Sequence, residues 1–127
     1  MLVVSRFVVP QDDAGPFLER ARAALAAFSA RPGYVRGRVG RAADDPTAWV
    51  LSTEWEGVGA YRRSLGAYDV KVDAAPLLAQ AVDEPSAFEV LVADDSASVE
   101  TVQPSRRAVD ATQVSLGEAS GPAVSDL

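Results

Sequence analysis

The chain has 127 residues, and its hydrophobic fraction of 48% and charged fraction of 24% are ordinary for one globular domain. Because it contains neither cysteine nor histidine, the sequence excludes disulfides, thiol catalysis, histidine-ligated haem and the usual zinc sites. The formal net charge of −6 argues against nucleic acid as a partner, because nucleic-acid phosphates repel acidic proteins.

The first predicted element is a strand over Leu2–Val9, because this segment is rich in β-branched residues and ends at Pro10. Both of its faces are apolar apart from Ser5 and Arg6, which predicts a central strand that is covered on both sides. The segment lacks the basic region and the cleavage site of a signal peptide. Since no apolar run approaches the ~20 residues of a membrane helix, we expect a cytoplasmic protein with no membrane contact.

A helix is predicted next, with Asp12 and Asp13 supplying an N-cap and negative charge at its N-terminus. Pro32 and Gly33 end the helical pattern, so the helix stops by Arg31. Its apolar residues recur at helical spacing and form one face: Phe17, Ala21, Leu25 and Phe28.

Two alternating segments follow, residues 34–41 and 47–55, and the turn residues 42–46 between them predict a β-hairpin. The second strand has one aromatic and apolar face: Trp49, Leu51, Thr53 and Trp55. On the first strand, alternation places Val35, Gly37 and Val39 on one face. It places Tyr34, Arg36 and Arg38 on the other face.

The C-terminal half contains a predicted short helix over residues 57–66 and an irregular helical stretch over 67–81, with breaks at Gly66 and Pro76. Residues 87–92 are an apolar run that predicts a final interior strand. After Ala93 the sequence becomes rich in Ser, Ala and Asp and has no aromatic residue. We therefore predict one domain over residues 1–93 and an acidic, flexible tail over 94–127. Within this tail, the alternatives for residues 111–116 are a short strand and a docking segment.

The order strand, helix, strand, strand, helix, strand predicts an α+β fold, the ferredoxin-like split βαβ arrangement with a four-stranded antiparallel sheet. Two helices cover one face of such a sheet. We expect the other face to expose a large apolar area formed by Phe7, Val35, Val39, Trp49 and Leu51. Burial at ~25 cal/mol per Å² favours a second layer, and the simplest second layer is another copy of the chain. The sequence thus predicts a homodimer.

Five features resemble the antibiotic biosynthesis monooxygenase family of dimeric α+β barrels: the strand end Val8–Pro10, the Asp-capped helix after it, RPGYVRGRVGR at 31–41, STEWEGVGAYRR at 52–63 and FEVL at 88–91. The resemblance extends from residue 2 to residue 93. It implies a ligand cavity between the sheet and the helices. It also implies, for some members, oxygenation of polycyclic aromatic substrates by O₂ without metal, haem or flavin.

Carried onto this chain, the resemblance implies Ser5 and Tyr61 as catalytic hydrogen-bonding groups, with Ser5 replacing an asparagine of the first strand. It implies five residues that bind a small aromatic ligand: Phe7, Trp49, Leu51, Tyr68 and Arg36. The asparagine, tryptophan and histidine of haem-degrading members are matched here by Ser5, Ser64 and Asp73. We therefore expect no cofactor.

Each of these residues also has a structural interpretation. Trp49 and the tyrosines are also typical of a hydrophobic core, and Ser5 of a small core hydroxyl. Arg36 and Arg38 would pair across the hairpin with Glu54 and Glu56. Two functions remain open: a cofactor-independent monooxygenase of a small aromatic or polyketide-like substrate, and a noncatalytic dimeric module of the same fold that binds a small molecule.

Overall fold

The structure, a computed structural model, describes residues 1–95 and the backbone of residues 99–101. The chain divides into two compact units, one formed by residues 3–86 and the other by residues 1–2 together with the part from residue 87 onward. The elements in chain order are β1 (Leu2–Val8), a 3₁₀ turn (Gln11–Asp13), α1 (Ala14–Ser29), β2 (Tyr34–Ala42), β3 (Asp45–Trp55), α2 (Val58–Ser64), α3 (Tyr68–Asp73), α4 (Ala75–Leu78), β4 (Ala87–Phe88), β5 (Val92–Asp94) and β6 (Val99–Thr101).

The fold is α+β, with a four-stranded antiparallel sheet in the order β2-β3-β1-β4, and this confirms the predicted ferredoxin-like class. The strand β1 is central, as predicted. Its alternation buries Val3, Ser5 and Phe7 on one face and leaves Arg6 and Val8 exposed on the other. The prediction that both faces are covered is therefore wrong for the single chain, because Val8 is 73% exposed.

The face that carries Phe7 is the one on which α1 packs. Phe7, Trp49 and Leu51 are all buried there, so their predicted place on an exposed apolar face is also wrong. The reason is that β3 buries alternate residues, from Trp49 to Trp55, on the helix side. Val39 pairs with Leu51 and so shares its helix side, which is also contrary to the prediction. Val35, which lies at a register irregularity of β2, is 47% exposed.

The helix α1 is confirmed, with Pro16 in its first turn and an end at Ser29, although its N-cap Asp13 makes no side-chain capping bond. The large buried residues of this helix are Phe17 and Phe28. Between them the buried positions are alanines, Ala21, Ala24 and Ala27. Small side chains there allow a close approach between helix and sheet, so the two phenylalanines extend into the core at opposite ends of the helix.

The predicted hairpin is confirmed, but β3 begins at Asp45, so a turn of two residues joins the strands. A register irregularity between Tyr34 and Arg36 pairs Tyr34 with Trp55 and Arg36 with Glu54. Opposite residues of an antiparallel pair share a face. Tyr34 therefore lies on the helix side and not beside Arg36, which corrects the predicted alternation.

The hairpin is entered through Gly33, whose φ of +87° is in the region that favours glycine. A side chain at this position would also collide with Ala60 of α2. The residue next to Ala60 is Tyr61, so the close approach at Gly33 helps to set where Tyr61 lies.

The helical stretch after the hairpin divides into α2, α3 and α4, with the predicted break at Gly66 and a second break at Ala74 rather than at Pro76. The predicted interior strand over residues 87–92 is wrong. The strand β4 contains two residues at the end of the strand order, and Phe88 is 46% exposed. Val92 instead begins β5, which pairs with β6 in a separate two-stranded sheet.

The division into a domain over 1–93 and a tail over 94–127 stays a prediction. Residues 99–101 form β6, and residues 111–116 lie outside the described part of the chain. Among the described helices, none has the length and the apolar composition needed to cross a membrane.

Candidate functional site

Two groups of aromatic side chains fill the space between the sheet and α1. The first, the Trp49 cluster, consists of Phe7, Phe17 and Trp49, with ring centroids 5.1 Å apart for Phe7 and Phe17 and 5.2 Å apart for Phe17 and Trp49. The guanidinium of Arg41 lies 5.2 Å from the centroid of the Trp49 ring, within range of a cation–π interaction. The buried Nε1 of Trp49 has no hydrogen-bond partner among the described residues.

The second group, the Trp55 cluster, consists of Trp55 and three rings around it. Phe28 and Tyr34 contact the indole edge to face, with centroids at 5.6 Å and 5.4 Å and interplanar angles of 80° and 82°. Tyr61 from α2 lies at 5.6 Å. Trp55 is 2% exposed, and its Nε1 donates a hydrogen bond of 2.9 Å to the hydroxyl of Thr53. The indole is therefore held on several sides.

A recess lies against the Trp55 cluster, within the unit formed by residues 3–86. It is lined by four apolar side chains and three hydroxyl-bearing ones, namely Val3, Phe28, Leu51, Leu78, Ser5, Thr53 and Tyr61. No part of it is wide enough for a water molecule. Ligand pockets usually measure about 300–1,000 Å³, so the recess is closed in this conformation.

The polar groups of the recess are the hydroxyls of Ser5, Thr53 and Tyr61. They come from β1, β3 and α2, and alternation along the strands turns Ser5 and Thr53 to the helix side. In the described part of the chain, neither the Ser5 nor the Tyr61 hydroxyl has a hydrogen-bond partner. Burial raises the pKa of the Tyr61 phenol above its usual value, because the phenolate is poorly solvated there.

No charged side chain lines the recess. Neutral hydroxyls in an apolar setting can donate hydrogen bonds to a ligand oxygen, and such bonds are worth most where negative charge develops. The recess contains neither a carboxylate nor an imidazole that could act as a general base. Within residues 1–95 and 99–101, no three acidic side chains come close enough to hold a metal ion.

The structure brings together three of the residues predicted for the site, Ser5, Leu51 and Tyr61, which all line the recess. Phe7 and Trp49 lie instead in the Trp49 cluster and are absent from its lining. They are covered by α1 and have core positions.

The two remaining predicted ligand-binding residues lie outside the recess. Tyr68 is 81% exposed on α3. Arg36 is on the open face of the sheet, with Nη1 2.8 Å from Glu54 Oε1. Arg38 lies 3.6 Å from the other oxygen of Glu54, so the predicted cross-strand pairing is found for Glu54. Glu56 pairs with neither arginine among the described residues.

Sequence reasoning missed four lining residues: Val3, Phe28, Thr53 and Leu78. The signal for Thr53 was present, because it alternates with Leu51 and Trp55 on one face of β3. The position of Leu78 depends on α4, a helix of four residues. No periodicity in so short an element could place its side chain against β1.

The comparison with protein-family models identifies one family. Residues 1–72 match the family model described as "Antibiotic biosynthesis monooxygenase". No curated protein matches the chain.

Among solved structures, a variant of SnoaB, a cofactor-independent oxygenase from Streptomyces nogalater, is 26% identical, with a TM-score of 0.55 over 64% of this chain and 82% of that one. A second SnoaB structure is 25% identical, with a TM-score of 0.51 over 71% and 94% of the two chains. A conserved protein from Methanosarcina mazei Go1, 17% identical, matches in fold with a TM-score of 0.56 over 68% of this chain and 84% of that one.

Proposed function

The chain belongs to the antibiotic biosynthesis monooxygenase family, and from this we propose that it is a monooxygenase of a small aromatic or polyketide-like substrate that works without metal, haem or flavin. The observation that carries the proposal is the uncharged recess against the Trp55 cluster, lined by three hydroxyls. The likeness to SnoaB, which is described as a cofactor-independent oxygenase, supports it.

The proposed reaction converts a substrate CH₂ group, activated by an adjacent aromatic carbonyl, into a carbonyl. Two C–H bonds and the O–O bond of O₂ break. One oxygen atom forms the new C=O bond, and the other leaves as water with the two hydrogens. All four electrons that reduce O₂ come from the substrate carbon. No external reductant or redox cofactor is required.

Such a substrate reacts with O₂ as its enolate, so the protein must favour the anion. We assign this role to the hydroxyls of Ser5 and Tyr61, which donate hydrogen bonds to the enolate oxygen. Because the pKa of Tyr61 is raised by burial, its phenol keeps its proton at neutral pH and stays a donor. With no base in the recess, the C–H proton passes to water, which restricts the substrate to acidic phenols and enols.

Substrate entry requires the recess to open. Leu78 and Tyr61 are only partly buried, and they stand on two short helices, α4 and α2, whereas Ser5 and Thr53 are buried on strands. Movement of the two helical side chains would therefore enlarge the recess without disturbing the sheet. Leu51 would contact the apolar part of the ligand.

We further propose that the protein is a cytoplasmic homodimer in which the open faces of two sheets meet. The support is the exposure of Val8, at 73%, on the face of β1 that the helices leave uncovered. Sedimentation equilibrium of the purified chain tests the assembly. A monomer at micromolar concentration would contradict it. Cell fractionation tests the location.

Oxygen uptake with anthrone-like compounds tests the activity. We expect the wild-type chain to consume one O₂ per anthrone and to release anthraquinone. Ser5→Ala and Tyr61→Phe should each reduce kcat/KM about ten- to hundredfold, the loss expected when one hydrogen bond to an anionic transition state is removed.

Matched controls are Ser52→Ala, on the opposite face of β3, and Tyr68→Phe, on the exposed surface; both should leave the rate unchanged. Uptake that is insensitive to both site variants would reject the assigned roles. A wild-type chain that takes up no oxygen with any compound, while the same compounds raise its melting temperature, would support the noncatalytic binding module instead.

A further inference from the structure

The hydroxyl of Thr53 stands apart from the other two donors of the recess, because its oxygen is already engaged. Trp55 Nε1 donates to Thr53 Oγ1 at 2.9 Å, and Thr53 is 3% exposed. The hydroxyl proton of Thr53 has no acceptor among the described residues. A hydroxyl that accepts from a fixed indole has a fixed oxygen and one proton left to donate, and this one belongs to a residue that lines the recess.

We propose that Thr53 is a third oxyanion donor of the recess and that Trp55 is its positioning residue. The group recognised is the ionised oxygen of a phenol or enol, bound by the O–H groups of Ser5, Thr53 and Tyr61 together. The proposal rests on the proposed function for the identity of the natural ligand, but the binding of a phenolate can be measured without turnover.

Packing around Trp55 supports a positioning role. Phe28 and Tyr34 contact its indole edge to face. Tyr34 reaches this position because the register irregularity of β2 pairs it with Trp55. Its hydroxyl lies over Gly37, where an added Cβ would be 2.5 Å from Tyr34 Oη. A chain of contacts thus runs from Gly37 through Tyr34 and Trp55 to the oxygen of Thr53.

The chemistry of the recess restricts what Thr53 could bind. A ligand that enters the recess exchanges hydrogen bonds to water for hydrogen bonds to protein groups. An anion that is buried without hydrogen-bond partners is strongly disfavoured. Three O–H donors directed at one oxygen stabilise an anion as an oxyanion hole does. A ligand that presents only N–H or O–H donors would find no acceptor other than hydroxyl oxygens. An oxyanion therefore fits the recess better than an amine or an ammonium group.

The probe for the test is 4-nitrophenol, whose absorbance reports its ionisation, and 4-nitroanisole is the matched ligand that cannot ionise. We expect the wild-type chain to bind the nitrophenolate and to lower the apparent pKa of the bound phenol. Thr53→Val, which keeps the shape and removes the hydroxyl, should weaken nitrophenolate binding about ten- to hundredfold. The affinity for nitroanisole should change less than about threefold.

Conservative and double variants separate a donor from a structural residue. Thr53→Ser keeps the hydroxyl and should retain nitrophenolate affinity. Trp55→Phe keeps a ring but removes the N–H, and its loss should not add to that of Thr53→Val in the double variant, because both act through one oxygen. Thr47→Val, the same substitution near the start of β3, is the control and should have no effect.

Two results would overturn the proposal: an unchanged nitrophenolate affinity in Thr53→Val, or an equal weakening of both ligands, which is the signature of a purely structural role. Failure of wild type to bind the nitrophenolate would also reject it. Oxygen uptake is scored separately. If the wild-type chain oxidises anthrone and Thr53→Val leaves nitrophenolate affinity unchanged, the proposed function stands and only this inference is rejected.

Discussion

The two faces of the sheet in the unit of residues 3–86 differ in almost every physical respect. The covered face carries the aromatic clusters and the hydroxyls of the recess, and no charged side chain lines that recess. The open face carries Arg36 and Arg38 around Glu54, and Arg6, whose guanidinium makes two hydrogen bonds to the carboxylate of Glu84. A reaction that requires the exclusion of water can therefore occur only on the covered face. The open face can contact solvent or a second copy of the chain.

The largest expected effect is the loss of a ring from the covered face. Phe28 is 1% exposed and contacts both Trp55 and Tyr61. Phe28→Ala should lower the free energy of unfolding by about 3–5 kcal/mol, since it leaves a cavity in the core. The measurement is urea unfolding followed by circular dichroism.

The matched substitution on the open face is Val8→Ala, at a residue of β1 that is 73% exposed. It should cost less than about 0.5 kcal/mol if that face contacts water. A loss of more than about 1 kcal/mol in the free energy of unfolding would contradict the description of this face as open. It would show that a second copy buries the face.

A smaller effect is expected from the two glycines in the middle of β2, which face opposite sides. A Cβ at Gly37 would lie 2.5 Å from Tyr34 Oη and 2.6 Å from Leu25 Cδ2, whereas at Gly40 the nearest atom, a Val50 methyl, is 3.4 Å away. Gly37→Ala should destabilise by about 1–3 kcal/mol. Gly40→Ala should be neutral or stabilising by up to about 1 kcal/mol. Thermal unfolding of both variants tests this, and equal melting temperatures would contradict the assignment of faces.

The covered face should also set the alkaline limit of stability. The pKa of Tyr61 is raised by burial, so the folded state retains the phenolic proton more tightly than the unfolded state. The contribution of the protonated Tyr61 to stability is fully present below the unfolded pKa of about 10. This contribution is lost as the pH rises above that value through the higher folded pKa. We expect the melting temperature to fall above about pH 10 and to fall less in Tyr61→Phe, with Tyr68→Phe as the control.

The smallest effect is expected at acidic pH, from an ion pair on the open face. The hydrogen bond and charge of Arg6 hold the pKa of Glu84 below its usual value. A lowered carboxylate pKa stabilises the fold above the unfolded value, and this contribution is lost as pH falls through the lowered folded pKa. Arg6 is exposed and Glu84 is partly exposed, so the change should be slight and sensitive to salt. The measurement is the melting temperature of Glu84→Gln and of wild type at acidic pH, at low and at high salt. A large difference that does not depend on salt would contradict a solvent-accessible ion pair.

Much of the fold was predictable because it is encoded in short-range patterns. The alternation of Trp49, Leu51 and Trp55 predicts a strand, and the pair Pro32 and Gly33 predicts the end of α1. Both predictions are confirmed. The element order predicts the α+β class, and the matched family agrees with it.

The errors arise where local alternation was carried across an irregularity. One register shift in β2 moves Tyr34 from the arginine face to the helix face. The apolar run at residues 87–92 predicts one strand. Val92 instead pairs with Thr101 of β6, a partner that strand propensity could not reveal.

The candidate site was predicted in part. Ser5 was noticed because a hydroxyl interrupts an apolar strand, and Tyr61 through the family resemblance, and both line the recess. Trp49, Phe7, Tyr68 and Arg36 were chosen as residue types able to stack on a ligand or hold an anion. Whether such a side chain contacts a ligand depends on which elements cover it, and this is not a property of its own segment.

The sequence by itself determined the class of fold and the absence of histidine and cysteine chemistry, because periodicity and composition are local or summed properties of the chain. Only the tertiary structure decided which hydroxyls meet. Ser5, Thr53 and Tyr61 are brought together at one recess by the packing of β1, β3 and α2. The tertiary structure also decided that Arg36 and Arg38 face away from this recess and pair with Glu54 on the open face, because burial in the covered core disfavours unpaired charges.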